Sequence, residues 1–142
     1  MTQNEPFHFQ TRIRFIDTDA SGRIHNTALL RYFEAAETEF LRTLGFTYQG
    51  QYEYGFPRVH VECDFLSWLA LDDLIEIEVY LTKIGTSSVR WEFRTTTNGV
   101  LAATGAVIAV CVHRDTKKST PIPAELRSVL EAVVNRRDTM QA

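Results

Sequence analysis

The sequence predicts an α+β domain, and three observations carry that assignment. Apolar residues alternate with polar ones at the start of the chain and again through most of its second half, the period of half-buried strands. Between those regions lies a long stretch whose apolar residues step by three or four, as on an amphipathic helix. A shorter stretch of the same period closes the chain. The order is one strand, a long helix, four strands in successive hairpin-like connections and a short closing helix. One long helix lying across a curved antiparallel sheet is the simplest packing of these parts.

Phe7, Phe9, Ile13 and Phe15 fall on alternate positions, with His8, Gln10, Arg12 and Arg14 between them. The pattern breaks at Asp17-Thr18-Asp19-Ala20-Ser21-Gly22, a cluster of turn formers. From Thr27 the period becomes helical: Leu29, Phe33, Ala36, Phe40 and Leu44, widened by Leu30 and Leu41. Asn26 or Thr27 suits the cap position at its start, and Gly45 suits a left-handed stop. About 18 residues at 1.5 Å each make a rod of roughly 27 Å. Alternation returns with Val59, Val61, Cys63 and Phe65 against His60, Glu62 and Asp64. It continues after the Asp72-Asp73 turn in Ile75, Ile77, Val79 and Leu81, and after Gly85–Ser88 in Val89, Trp91 and Phe93. Asn98-Gly99 signals a hairpin turn of the mirror-image type. The last strand, Val100 to His113, is nearly all apolar or small, the pattern of burial on both faces. Pro121 and Pro123 announce a helix with Leu126, Val129, Leu130, Val133 and Val134 at helical spacing. The polar tail from Arg136 is expected to fray.

The 142 residues make one domain, 1–142, with no internal repeat or linker. A net charge of −3 leaves no basic excess to neutralise phosphates, which speaks against a nucleic-acid partner. Cys63 and Cys111 lie in apolar stretches and form no C-x-x-C pair, so reduced buried thiols are expected. No apolar run reaches the length of a membrane span, and residues 1–6 carry no apolar signal core. These features predict a soluble cytoplasmic protein.

The chemistry points to Arg12–Glu34, RIRFIDTDASGRIHNTALLRYFE. This segment leaves a strand, passes two carboxylates and a glycine, and enters a helix. A helix start presents unpaired N–H groups and the positive end of the dipole, which stabilise negative charge growing on a carbonyl oxygen. Asp19 precedes Asn26 by seven residues, across a loop that Gly22 lets fold tightly. Spacing alone favours a plainer alternative, in which Asp17 and Asp19 make turn hydrogen bonds to backbone N–H groups.

The stretch D-T-D-A-x-G-x-x-x-N, followed by Arg31-Tyr32-Phe33-Glu34, resembles the signature of the 4-hydroxybenzoyl-CoA thioesterase family, which includes the YbgC-like acyl-CoA thioesterases. His60–Leu66 and Leu71–Leu74 resemble the family's following strands, and the element order matches the hotdog fold over nearly the whole chain. The resemblance implies an acyl-CoA thioesterase that releases a carboxylic acid and free CoA. It places the catalytic carboxylate at Asp19, acting as general base or as nucleophile through a mixed anhydride. The backbone N–H at Asn26 would polarise the thioester carbonyl, His25 would orient water or the acyl group, and Asp17 would hold the loop. It also implies an active site between subunits, hence a homodimer, a homotetramer or a tetramer of dimers, and no metal or redox cofactor, with CoA entering as part of the substrate. Many relatives carry Tyr or His where this chain has Asn26, and an aromatic residue at Leu29, so the acyl group does not carry over.

Other candidates are weaker. His60, with Glu62 and Asp64, is either a pocket residue reached from a neighbouring subunit or part of a polar strand face. Lys83, Thr86 and Ser87 in the break after the Ile75–Leu81 strand could meet the phosphates or pantetheine of CoA, or form a plain turn; no phosphate-binding G-x-x-x-x-G-K-[ST] loop is present. Asp17 and Asp19 make a poor metal cage, and His8, His25, His60 and His113 are scattered. Ser21, His25 and Asp19 share one short loop and lack a nucleophile elbow, so they make no triad. The alternatives to acyl-CoA hydrolysis are an acyl-ACP thioesterase that engages an acyl carrier protein, and a non-catalytic acyl-CoA-binding protein.

Overall fold

The computed structural model describes residues 5–135; the polar tail from Arg136 lies outside them. Five strands form one antiparallel sheet in the order β1-β4-β5-β6-β3: β1 (Phe7–Arg12), β3 (Arg58–Phe65), β4 (Leu74–Ile84), β5 (Ser88–Thr97) and β6 (Val100–Val110). A two-stranded ribbon pairs β2 (Tyr54–Gly55) with β7 (Val112–His113). Helices α1 (Ala28–Thr43) and α2 (Ala124–Glu131) complete the α+β architecture. The short closing helix expected from the sequence is α2, and it shares the core with α1, where one long central helix was expected as the centre of the packing: Leu126 and Leu130 of α2 join the same apolar cluster as Phe33 and Phe40 of α1.

Three other expectations are corrected. The run from Val100 to His113 is two strands, because β5 ends opposite Val110 and β3 opposite Ala109, so the chain beyond has no ladder partner and turns to β2. The connection from β3 to β4 is no hairpin: β3 pairs with β6 at one edge, while β4 lies between β1 and β5. Val133 and Val134 follow α2 and lie beyond it.

Helix α1 buries one stripe, Leu29, Tyr32, Phe33, Ala36, Phe40 and Leu41. The Phe33 ring stacks on Phe93 of β5 at 4.5 Å, and Phe40 on Phe7 of β1 at 4.9 Å, which fixes the helix against the sheet. At its C-terminus Gly45 takes φ +86°, letting the Gly45 and Phe46 N–H groups return to the carbonyls of Arg42 and Leu41. At the other end neither expected cap acts through its side chain: Thr27 has a helical backbone, and its N–H and hydroxyl turn to the His25 ring.

Strand β3 stands apart. It lies at the sheet edge, and Val59, Val61 and Phe65 are 61%, 47% and 47% exposed, together with His60, Glu62 and Asp64 on the opposite face. The alternation is real, but within one chain only Cys63 is half-buried against the core, and the other residues from Val59 to Phe65 are exposed.

Candidate active site

The loop between β1 and α1 is built by local bonds and then stitched to the segment 66–73. A 3₁₀ turn at Phe15–Asp17 closes through Asp17 N–H to Arg14 O at 3.0 Å. Thr18 and Ile24 pair as an antiparallel bridge, with Asp19 N–H donating to Arg23 O at 2.8 Å. Gly22, at φ +82°, makes the reversal, its N–H on Asp19 O at 3.0 Å. Four backbone bonds then join this loop to the neighbouring one: Ile13 N–H to Asp73 O, Asp72 N–H to Ile13 O, Ile24 N–H to Leu69 O and Leu71 N–H to Gly22 O, all between 2.8 and 3.0 Å.

The two aspartates part company in this frame. Asp17 is nearly buried; its carboxylate accepts the Tyr32 hydroxyl at 2.7 Å and the Arg31 guanidinium. Its backbone carbonyl accepts the His25 N–H at 2.8 Å. The Tyr32 hydroxyl, and then the Arg31 charge, hold its carboxyl below the usual range against the cost of burial. Asp17 therefore ties the loop to the first turn of α1. Asp19 is exposed, and only its Oδ1 is engaged, accepting the Ser21 hydroxyl at 2.6 Å and the Ser21 N–H at 2.8 Å. Those Ser21 bonds lower its pKa, so it is ionised at neutral pH. Among the described residues Oδ2 of Asp19 has no hydrogen-bond partner, which leaves it free to take a proton or attack a carbon.

His25 and Asn26 are exposed at the entry to α1, and no hydrogen bond joins either side chain to the Asp19 carboxylate. Asp19, Gly22, His25 and Asn26 thus lie within eight residues of chain leading into α1, where the N–H groups of Thr27 and Ala28 are taken up by His25, through its ring and its carbonyl. The other expected residues lie elsewhere. His60 Nε2 pairs with Glu62 Oε1 at 2.8 Å on the open edge strand. Lys83 sits at the far end of β4, ten residues beyond Asp73 and so about 33 Å along an ideal strand, and Thr86 and Ser87 lie in the turn that follows. Lys83 there borders a cleft of about 570 Å³ with Ser88, Arg90 and Ile108. The Thr86 and Ser87 carbonyls hold the chain around α2 and β7, accepting Ile122 N–H at 3.0 Å and Cys111 N–H at 2.7 Å. A single chain does not bring the Lys83 turn and Asp19 together.

Ser21, Arg31 and Tyr32 are the partners that sequence reading did not assign. Ser21 was visible two residues after Asp19, the spacing of an Asx turn, whereas Tyr32 to Asp17 is a contact between elements. Neither cysteine is poised for nucleophilic work; burial pushes the Cys63 thiol up to about 11, and Cys111 is also raised.

This fold and this loop define a class. Residues 13–130 match the thioesterase-like superfamily, and the chain belongs to it. Among relatives, it is 30% identical over 125 residues to the acyl-CoA thioesterase YbgC of Haemophilus influenzae, covering 86% of this chain and 92% of that one. It is likewise 30% identical over 129 residues to the 1,4-dihydroxy-2-naphthoyl-CoA hydrolase of Synechococcus elongatus, covering 88% and 95%. The crystal structure of a 1,4-dihydroxy-2-naphthoyl-CoA thioesterase from Synechocystis superposes with a TM-score of 0.82 at 18% identity, over 87% of this chain and 94% of that one. That likeness bears out the hotdog architecture, and the relatives bear out the family resemblance drawn from the D-T-D-A-x-G segment.

Proposed function

We propose that this protein hydrolyses acyl-CoA thioesters to a carboxylic acid and free CoA, with Asp19 as the central catalytic group. The observation that carries the reading is the half-engaged Asp19 carboxylate: Ser21 fixes Oδ1 while Oδ2 is open, directly ahead of the start of α1. The thioester carbonyl lies with its oxygen toward the N–H groups at Asn26, and its carbon within reach of Asp19. As general base, Asp19 Oδ2 takes the proton of a water that attacks the carbon, and the oxyanion is held at the helix start. The C–S bond then breaks and the CoA sulfur leaves, taking up a proton. As nucleophile, Asp19 forms a mixed anhydride that water opens to the same products. His25 orients the water or the acyl group. CoA enters as part of the substrate, and neither route draws on a metal or redox cofactor.

Two features support a homodimer, or a tetramer of dimers, as the working form. The exposed edge of β3 leaves one row of backbone N–H and C=O groups unpaired beside Val59, Val61 and Phe65, the surface a second copy would extend. The Lys83 turn lies at the far end of β4 from the Asp19 loop, so it would reach a ligand there from a neighbouring subunit, and His60 on the open edge of β3 would face that subunit. Lys83 and Arg90 would then meet the CoA phosphates, with Thr86 and Ser87 beside the pantetheine arm. The reduced cysteines suit a cytoplasmic enzyme, and no helix among the described residues is long and apolar enough to cross a membrane.

The test is CoA release across a panel of aromatic, short and medium acyl-CoAs in EDTA, for wild type and Asp19→Asn. Wild-type turnover should fall by about 10²–10⁴-fold in the variant. Full activity in a folded Asp19→Asn protein would refute the assignment, and turnover of acyl-ACP alone would replace CoA with the carrier protein.

A further inference from the structure

Beside the Asp19 loop, one pair of residues has no part in the reading above. The Arg23 guanidinium lies over the Trp68 ring, 3.0 Å from its centroid. Both residues stand on well-fixed backbone: Arg23 O accepts the Asp19 N–H at 2.8 Å, Arg23 bridges to Ala70, and Leu69 O accepts the Ile24 N–H at 2.8 Å. Yet Trp68 is 63% exposed, while the adjacent Leu69 is 2% exposed. The indole therefore contributes little to the core. One face is covered by Arg23 and the rest is offered to solvent.

The surroundings give that face a purpose. Leu66 and Phe65 are 57% and 47% exposed, and together with Arg23, Ile24, Trp68 and Leu69 they line a cleft of about 250 Å³. This is smaller than the roughly 300–1,000 Å³ of pockets that take a drug-sized ligand, and suits a single planar ring. An apolar patch with a polar rim marks a binding surface. A tryptophan held by a cation on one side is a stiff stacking platform, since little side-chain entropy is left to lose. Two backbone hydrogen bonds, Leu69 O to the Ile24 N–H and Arg23 O to the Asp19 N–H, tie the segment that carries Trp68 to the Asp19 loop, so a ring seated there has a set position relative to that loop.

We propose that Trp68, clamped by Arg23, is a specificity residue that stacks a planar aromatic ring of the thioester substrate beside Asp19. The ring is either an aromatic acyl group or the adenine of CoA. The proposal rests on thioester hydrolysis at Asp19 and names what the site selects.

The experiment compares wild type, Trp68→Leu and Trp68→Phe on benzoyl and hexanoyl thioesters, each made with CoA and with N-acetylcysteamine, which lacks the nucleotide. If the ring is the acyl group, Trp68→Leu lowers the benzoyl-to-hexanoyl ratio of kcat/KM about tenfold on both carriers, and Trp68→Phe restores it. If the ring is adenine, it lowers the ratio of CoA to N-acetylcysteamine thioesters about tenfold for both acyl groups, again restored by Phe. An equal loss on all four substrates, or none, overturns the proposal; so does dissociation of the oligomer in Trp68→Leu. A second readout does not depend on turnover. Trp91 is 2% exposed, so quenching of the exposed indole by benzoate or by free CoA reports stacking at Trp68. Quenching without hydrolysis of any thioester would refute the Asp19 reading and leave the ring site standing, whereas hydrolysis without quenching by either ligand would do the reverse.

Discussion

Gly105 lies in the middle of β6, opposite Phe93 on one side and Cys63 on the other. A Cβ placed on it would stand 2.4 Å from Cε2 of Phe33, 3.1 Å from its Cζ and 2.9 Å from the Glu62 carbonyl oxygen. Carbon atoms in contact settle at about 3.5–4.0 Å, so the Phe33 ring would have to retreat by about 1 Å. It has little room, because its plane is stacked on Phe93 at 4.5 Å with only 4° between the rings. The Glu62 contact is with backbone, so β3 would be pushed as well. Overpacking of this kind costs about 1–3 kcal/mol, and two constrained neighbours place it at the upper end. Loss of glycine's freedom in the unfolded chain returns about 0.4–1 kcal/mol. Gly105→Ala should therefore destabilise by about 2 kcal/mol, which lowers Tm by roughly 6 °C in a domain of this size. Urea unfolding at pH 7 measures the first and a thermal melt the second. The cause is tested by Phe33→Leu in both backgrounds: the double variant should be at least about 1 kcal/mol more stable than the two single losses add to. A Gly105→Ala protein within about 0.5 kcal/mol of wild type, or strict additivity in that cycle, would refute the close packing of α1 on β6.

Two further substitutions separate buried acids of opposite habit. Tyr32→Phe keeps the ring and removes the hydroxyl that Asp17 and the Arg14 N–H share, at a cost of about 1.5–3 kcal/mol at pH 7. Asp17 is held below the ordinary carboxylate range when folded, so its stabilisation is full above that range and lost as pH falls through the folded value. Urea midpoints of wild type and Tyr32→Phe should therefore converge on acidification from pH 6, and a constant gap would exclude Asp17 as the partner that matters. Glu37 runs the other way: it is fully buried in α1, with Oε1 unpaired among the described residues and Oε2 accepting Arg58 at 3.0 Å and the Tyr48 hydroxyl. Burial raises its carboxyl, and Arg58 opposes the rise. Arg58→Met strands that charge and should cost about 3–5 kcal/mol at pH 8. The loss should shrink toward pH 5, because a folded pKa above the unfolded one favours the protonated native state; equal losses at both values would show that Glu37 is not the group responsible.

The parts of the fold that depend on local period were legible. Phe33, Ala36 and Phe40 announced α1, Asn98-Gly99 its hairpin with φ values of 50° and 75°, and Gly45 the helix stop. The D-T-D-A-x-G segment likewise marked the loop at Asp19, because turn chemistry and a helix start are both written in neighbouring residues. Period says nothing about which strand lies beside which, and so β3 read as the first of four strands in successive hairpin-like connections when it pairs with β6 some forty residues later. The same blindness concealed the exposure of Val59 and Val61, whose alternation is that of a strand with a covered face. By itself the sequence determined the two helices, the longer strands and the turns, which follow from interactions a few residues long, while the choice of Asp19 within its turn came from the family resemblance. Only the tertiary structure decided that Tyr32 binds Asp17, that the Lys83 turn lies at the other end of the sheet from Asp19, and that Arg23 meets Trp68. Those are contacts between segments distant in the chain, and they exist only once the sheet order and the packing of α1 have brought the segments together.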